Sequence, residues 1–197
     1  LSEFLEAVSS DGHRVLEADL GDETPDVWVE RARERDAELL WLHTIEDLSE
    51  AGFERFPGYV RLRAESAPPG DPLPRLRPAD FAATADAGFR GRWGHKLVTP
   101  DAQPPSGWLV LGLYERDEPI GLCAISPSDR LVDGPGVIAD AREPGTYTRL
   151  LLGACAELGP GPIDLDSWGD DPAVIAAYEA FGFAVVERVG GWQLRLG

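Results

Sequence analysis

A chain of 197 residues, 43% hydrophobic and 27% charged, is long enough to bury a sizeable core and too apolar to stay disordered. Its net charge of −17, from 35 acidic against 18 basic residues, argues against a nucleic-acid binder, which needs a basic face toward phosphate. No apolar run reaches the roughly 20 residues of a membrane span and no secretory leader is legible, so a cytoplasmic protein with no membrane partner is expected.

The first 66 residues read as a segment of their own. A short amphipathic helix from Leu1 to about Val8 is followed by the turn Asp11-Gly12 and the apolar stretch Val15–Leu20. Thr24-Pro25 then opens a long charged helical run, because proline suits a first turn whose N–H has no partner. The segment closes on Gly52-Phe53 and an alternating strand, Tyr59–Arg63. Residues 67–74, with four prolines, read as a stiff linker.

From Arg75 the pattern changes. Arg75-Leu76-Arg77 reads as a strand and Pro78-Ala79-Asp80 as a helix start carrying Phe81, Ala85 and Phe89. Gly107–Tyr114 and Pro119–Ile125 form a hairpin, and Leu131–Ala139 a further strand interrupted by Gly134-Pro135-Gly136. A helix follows Pro144, then a strand at Ile163–Trp168, a helix ending at Phe181-Gly182-Phe183, and a closing hairpin that includes Gly191–Leu196. This order gives an α/β fold with a central, mostly antiparallel sheet flanked by helices.

Two stretches carry chemistry. The strand before Ala139 runs into Arg142-Glu143-Pro144-Gly145-Thr146-Tyr147 and then a helix. Unpaired N–H groups and the helix dipole at such a start favour an anion, and Arg142 adds charge suited to a diphosphate. Further on, Tyr178-Glu179-Ala180-Phe181-Gly182-Phe183 ends the second helix. Together these motifs resemble the GNAT superfamily of N-acetyltransferases. Its pyrophosphate loop reads Gln/Arg-x-x-Gly-x-Gly/Ala, and its later helix ends Tyr-x-x-x-Gly-Phe. Tyr147 departs from the small residue that closes the loop, and an acid, Asp170 or Asp171, replaces the usual asparagine.

The resemblance implies the GNAT fold over residues 75–197, with acetyl-CoA as co-substrate and a small-molecule or peptide amine as acceptor. Residues 1–66 echo the back half of such a unit: Gly21–Pro25 parallels Gly169–Pro172, and Gly52-Phe53 parallels Gly182-Phe183. They are therefore read as a partial or degenerate second unit, against an unrelated helical extension. By the same resemblance, Val137, Ile138 and Ala139 pair with the pantetheine arm, and one of their N–H groups stabilises the oxyanion. Arg142, Pro144, Gly145, Thr146, Tyr147 and Thr148 surround the diphosphate, with Asp171 opening the later helix. Tyr178 is the catalytic acid that protonates the departing thiolate; its alternative is a core tyrosine beside Phe181 and Phe183.

No general base is singled out among Asp164, Asp166 and Glu115, and Trp93, His95 and Trp168 are candidates for an acceptor pocket. Cys123 and Cys155 are expected as buried thiols, and scattered His13, His43 and His95 offer no metal motif. An acidic body suits a cationic amine acceptor as well as plain solubility. A homodimer is left open, and a start at Leu1 is expected of a processed or truncated product. The alternative function is a catalytically degenerate binding or regulatory module on the same scaffold.

Overall fold

The computed structural model describes residues 4–90, 95–168 and 171–197, with the backbone alone for Trp168. Trp93 and Asp170 lie outside the described residues. In chain order the elements are β1 (Phe4–Val8), β2 (Arg14–Asp19), α1 (Pro25–Glu34), β3 (Leu39–Thr44), β4 (Glu54–Ala64), α2 (Phe81–Phe89) and β5 (Leu109–Glu115). There follow β6 (Glu118–Ser126), β7 (Leu131–Val137), α3 (Pro144–Leu158), β8 (Ile163–Trp168), α4 (Pro172–Glu179) and β9 (Ala184–Arg195). None of these helices is long and apolar enough to cross a membrane.

The elements form two compact units. Unit one comprises Leu1–Tyr59, Gly91–Leu97 and Arg188–Gly197; unit two comprises Val60–Arg90 and Val98–Glu187. The expected boundaries ran along the chain, whereas β4 and β9 each begin in one unit and end in the other.

In unit one the strand order is β1-β2-β3-β9, with β2 and β3 parallel and the outer pairs antiparallel. Parallel neighbours need a crossover, and α1 supplies it. Its Trp28 and Ala32 are fully buried against Leu16, Leu40 and Leu42, and Trp28 Nε1 donates to the Leu20 carbonyl at 3.3 Å. Two expectations are corrected here. Residues 4–8 are a strand paired with β2 rather than a helix, because Phe4, Leu5 and Val8 satisfy either spacing. The helical run stops at Glu34, and Leu39–Thr44 is a buried strand. The turn between them passes through Asp36 at φ 52, a conformation that aspartate tolerates.

In unit two the order is β4-β8-β7-β6-β5, with β7 and β8 parallel and α3 as their crossover. The face beneath α3 and α4 holds the core, where Leu150, Leu151, Ala154, Ile163, Leu165 and Tyr178 are buried. On the other face Ala85 of α2 packs with Leu76, Val110 and Leu122. Arg75 contributes only an isolated bridge to Leu111, where a strand was expected. The proline-rich stretch is not a free linker. Ala67 N–H donates to the Gly161 carbonyl at 3.0 Å, and Leu73 packs on Gly153 of α3.

The fold is thus a mixed, mostly antiparallel sheet flanked by helices, as the order of elements implied. The helix between the parallel strands is α1 in unit one and α3 in unit two. The short 3-10 turn Ser49–Ala51 precedes Gly52-Phe53, where α4 precedes Gly182-Phe183. The closing hairpin is instead one long strand, β9.

Candidate active site

Two parallel strands that separate leave backbone groups facing a gap. Among the described residues of unit two, β7 and β8 pair at three positions, Leu131↔Asp164, Val132↔Leu165 and Asp133↔Asp166. Beyond them β7 continues through Gly134, Pro135, Gly136 and Val137 without β8. Proline has no N–H for a ladder, and the β6–β7 register shifts between Leu122 and Ala124 at the same level. The pairing in unit one runs over five positions, Val15↔Leu39 through Asp19↔His43.

The strand was expected to reach Ala139 but ends at Val137, and the three residues chosen for pantetheine have internal partners. Val137 O accepts from Arg142 Nε at 2.9 Å, and Ile138 N–H donates to Ile120 O at 3.1 Å. Ile138 O and Ala139 O accept from the N–H groups of Ala141 and Arg142 in a 3-10 turn. The backbone without a β8 partner lies instead at Gly134–Gly136. Gly136 is needed there because a Cβ would stand 2.9 Å from the Phe89 ring of α2.

Arg142 is engaged by backbone carbonyls. Besides Val137 O, its Nη2 reaches Gly88 O at 3.4 Å and Arg90 O at 2.6 Å, so its guanidinium ties the end of α2 to the end of β7. Cations near a helix C-terminus are stabilised by the dipole, which accounts for this placement. Pro144 takes the first helical position of α3, and Glu143 stands at its N-cap without a side-chain bond. The Thr146 N–H turns to Glu143 O at 3.0 Å and the Thr148 hydroxyl donates to Pro144 O at 2.9 Å. Gly145 lies open, with nothing nearer to an added Cβ than the Glu143 carboxylate at 3.9 Å. Tyr147 is buried in the core with Leu150 and Tyr178, so its ring does not crowd the loop.

Beside this helix start lies a cavity of about 350 Å³ lined by Tyr114, Glu115, Asp140, Glu143, Thr146 and Arg149, with Arg142 at its wall. Three carboxylates against two guanidiniums make it a mixed rather than a basic pocket. Arg149 is the exposed cation there.

On α4, Asp171 is the N-cap, its carboxylate accepting from Ala173 N–H at 2.9 Å. Gly182, at φ 90, ends the helix and lets Phe183 turn back into the core. Tyr178 is completely buried. The motif is therefore a helix stop as well as a source of a phenol. Asp166, a candidate base, is held by Arg61 through two 2.7 Å bonds, and Asp164 lies 3.8 Å from Arg63. Glu115 lines the cavity. The Arg61–Asp166 pair links residues 105 apart and left no local signal. His95 is buried in unit one, and the Trp168 side chain lies outside the described residues. Both thiols are buried, and burial pushes Cys155 up to about 12 and Cys123 well above its ordinary value, so neither is a ready nucleophile.

No protein-family model and no curated protein matches the chain. Solved structures do. A GCN5-related N-acetyltransferase from Kribbella flavida superimposes with a TM-score of 0.58 at 15% identity, over 100% of this chain and 90% of that one. Another from Sphaerobacter thermophilus gives 0.57 at 16% identity, over 100% and 82%. A tandem GNAT protein from the clavulanic acid biosynthesis pathway gives 0.52 at 14% identity, over 93% and 75%. The chain has the fold of the GCN5-related N-acetyltransferases, with β7–β8 pairing that ends at Asp133↔Asp166 and a glycine loop before the crossover helix in unit two.

Proposed function

We propose that the chain transfers an acyl group, acetyl in the first instance, from a coenzyme A thioester to a primary amine by direct attack in a ternary complex. The observation that carries this reading is the end of β7–β8 pairing after Asp133↔Asp166, on the strand that leads toward the loop opening α3. The gap offers the backbone of Gly134 and Pro135, which lie outside both the β6 and the β8 pairing, to an extended arm. The start of α3 offers the Gly145 N–H, the helix dipole and Arg149 to a diphosphate. Acyl-CoA supplies the activated acyl group.

The chain's part is to hold the thioester at the gap, present N–H groups where negative charge develops on the carbonyl oxygen, and supply a proton to the leaving sulfur. Tyr178 is the proposed donor of that proton; being fully buried, it acts only if the sulfur enters between the diverging strands. The acidic surface suits an amine that arrives as a cation.

A second reading, a degenerate GNAT-fold binding module, is favoured by the engagement of Arg142 with three carbonyls and by the carboxylates at the cavity. Steady-state release of free thiol from acetyl-CoA separates the two, using spermidine, tyramine and a peptide with a free N-terminus as acceptors. Amine-dependent release supports the transferase. Thioester binding with no release for any acceptor class supports the module.

A further inference from the structure

Unit one holds a buried polar cluster that acyl transfer in unit two does not use. Glu17 of β2 lies 2.8 Å from His43 Nε2 through one carboxylate oxygen, and its other oxygen accepts from Lys96 Nζ at 2.5 Å. The Glu17 and His43 side chains are only 12% and 7% exposed. His43 stands on β3, where it faces Asp19 in register, so its bond to Glu17 runs diagonally across the parallel pair. Its ring meets Phe56 edge-on at 6.1 Å and Tyr59 at 6.5 Å.

Lys96 belongs to a short strap, His95–Leu97, that lies along the end of β1. Ser9 and Lys96 form an isolated antiparallel bridge. Leu97 N–H donates to Val8 O at 2.8 Å, and Ser10 N–H to His95 O at 3.1 Å. Lys96 is also the sole lysine among 18 basic residues. With one Glu17 oxygen taken by His43, a single acceptor remains. A compact ammonium suits a single acceptor, whereas a guanidinium favours two in parallel.

We propose that Glu17, His43 and Lys96 form a charge lock, in which one buried carboxylate crosslinks β2 to β3 and fastens the His95–Leu97 strap to β1. The lock ties residues 26 and 79 positions apart in the chain to one point. Removing the ammonium leaves the strap to its backbone bonds alone without touching the Glu17–His43 bond. Removing the carboxylate charge loosens both.

Amide hydrogen exchange on the full chain tests this with Lys96→Met, Lys96→Arg and Glu17→Gln. The lock predicts exchange at Ser10 and Leu97 faster by about tenfold or more in Lys96→Met and Glu17→Gln, and by less in Lys96→Arg, with the amides of β7 and α3 unmoved. Unchanged exchange at Ser10 and Leu97 in Lys96→Met overturns the proposal. A rise spread evenly over both units also overturns it, since that reports general destabilisation. Should Glu17→Gln fail to fold, Lys96→Met alone decides.

Discussion

Arg142 turns back onto the strand it follows: its Nε donates to the carbonyl of Val137 at 2.9 Å. The same guanidinium grips the Gly88 and Arg90 carbonyls at the end of α2, so this arginine is a brace before it is a phosphate ligand. Arg142→Ala is expected to lower stability in denaturant by about 2–3 kcal/mol, as for lost charge-assisted bonds to partly buried carbonyls. Arg149→Ala, on an exposed side chain at the cavity, is expected within about 0.5 kcal/mol of the parent. Equal losses from the two variants would contradict the assignment.

Tyr178 gives a cleaner separation of chemistry from packing. If its phenol protonates the leaving thiolate, Tyr178→Phe lowers kcat by about a hundredfold or more while thioester affinity stays put. A packing role alone predicts an unchanged kcat, since phenylalanine keeps the ring. Single-turnover assays with a saturating amine provide the comparison.

At Gly136 the chain allows no side chain, because an added Cβ would meet the Phe89 ring at 2.9 Å. Gly136→Ala is expected to cost about 1–3 kcal/mol through displacement of α2. Combining it with Phe89→Leu should recover part of that loss, giving a non-additive double-mutant cycle. Strict additivity would place the strain elsewhere.

Glu17 sets a pH dependence. Burial pushes its carboxyl up, but the hydrogen bond to His43 and the charge and hydrogen bond of Lys96 outweigh that and hold it below its ordinary value. The folded state therefore binds the proton less readily than the unfolded chain does. The stability this gives is present above the ordinary carboxylate range and is lost as pH falls through the depressed folded value. Denaturant unfolding from about pH 6 to about pH 3 should show a steeper loss for the parent than for Glu17→Gln. Parallel curves would argue against the pairing.

The crossover unit of the second half is plain in the residues: an apolar strand, Pro144 at a helix start, and Gly182-Phe183 at a helix stop each act locally. What stayed hidden depends on distance. Leu39–Thr44 follows a charged helix without glycine or proline to mark the turn, and its strand is settled by β9, with Trp41 bonded to Gln193 across 152 positions. The glycine loop before α3 was legible in outline, yet Arg142 is engaged by carbonyls at Gly88 and Arg90, more than fifty residues earlier. Side-chain direction of that kind is fixed by tertiary neighbours, not by spacing.

The end of β7–β8 pairing and the α3 loop of unit two are proposed to take an acyl-CoA, while the continuously paired β2 and β3 of unit one are not. Calorimetric titration of acetyl-CoA into the full chain tests this most directly, with Arg149→Glu alongside. Micromolar binding of one molecule per chain, weakened in the variant, is expected. No heat of binding up to millimolar ligand, or two equivalent sites per chain, would contradict it.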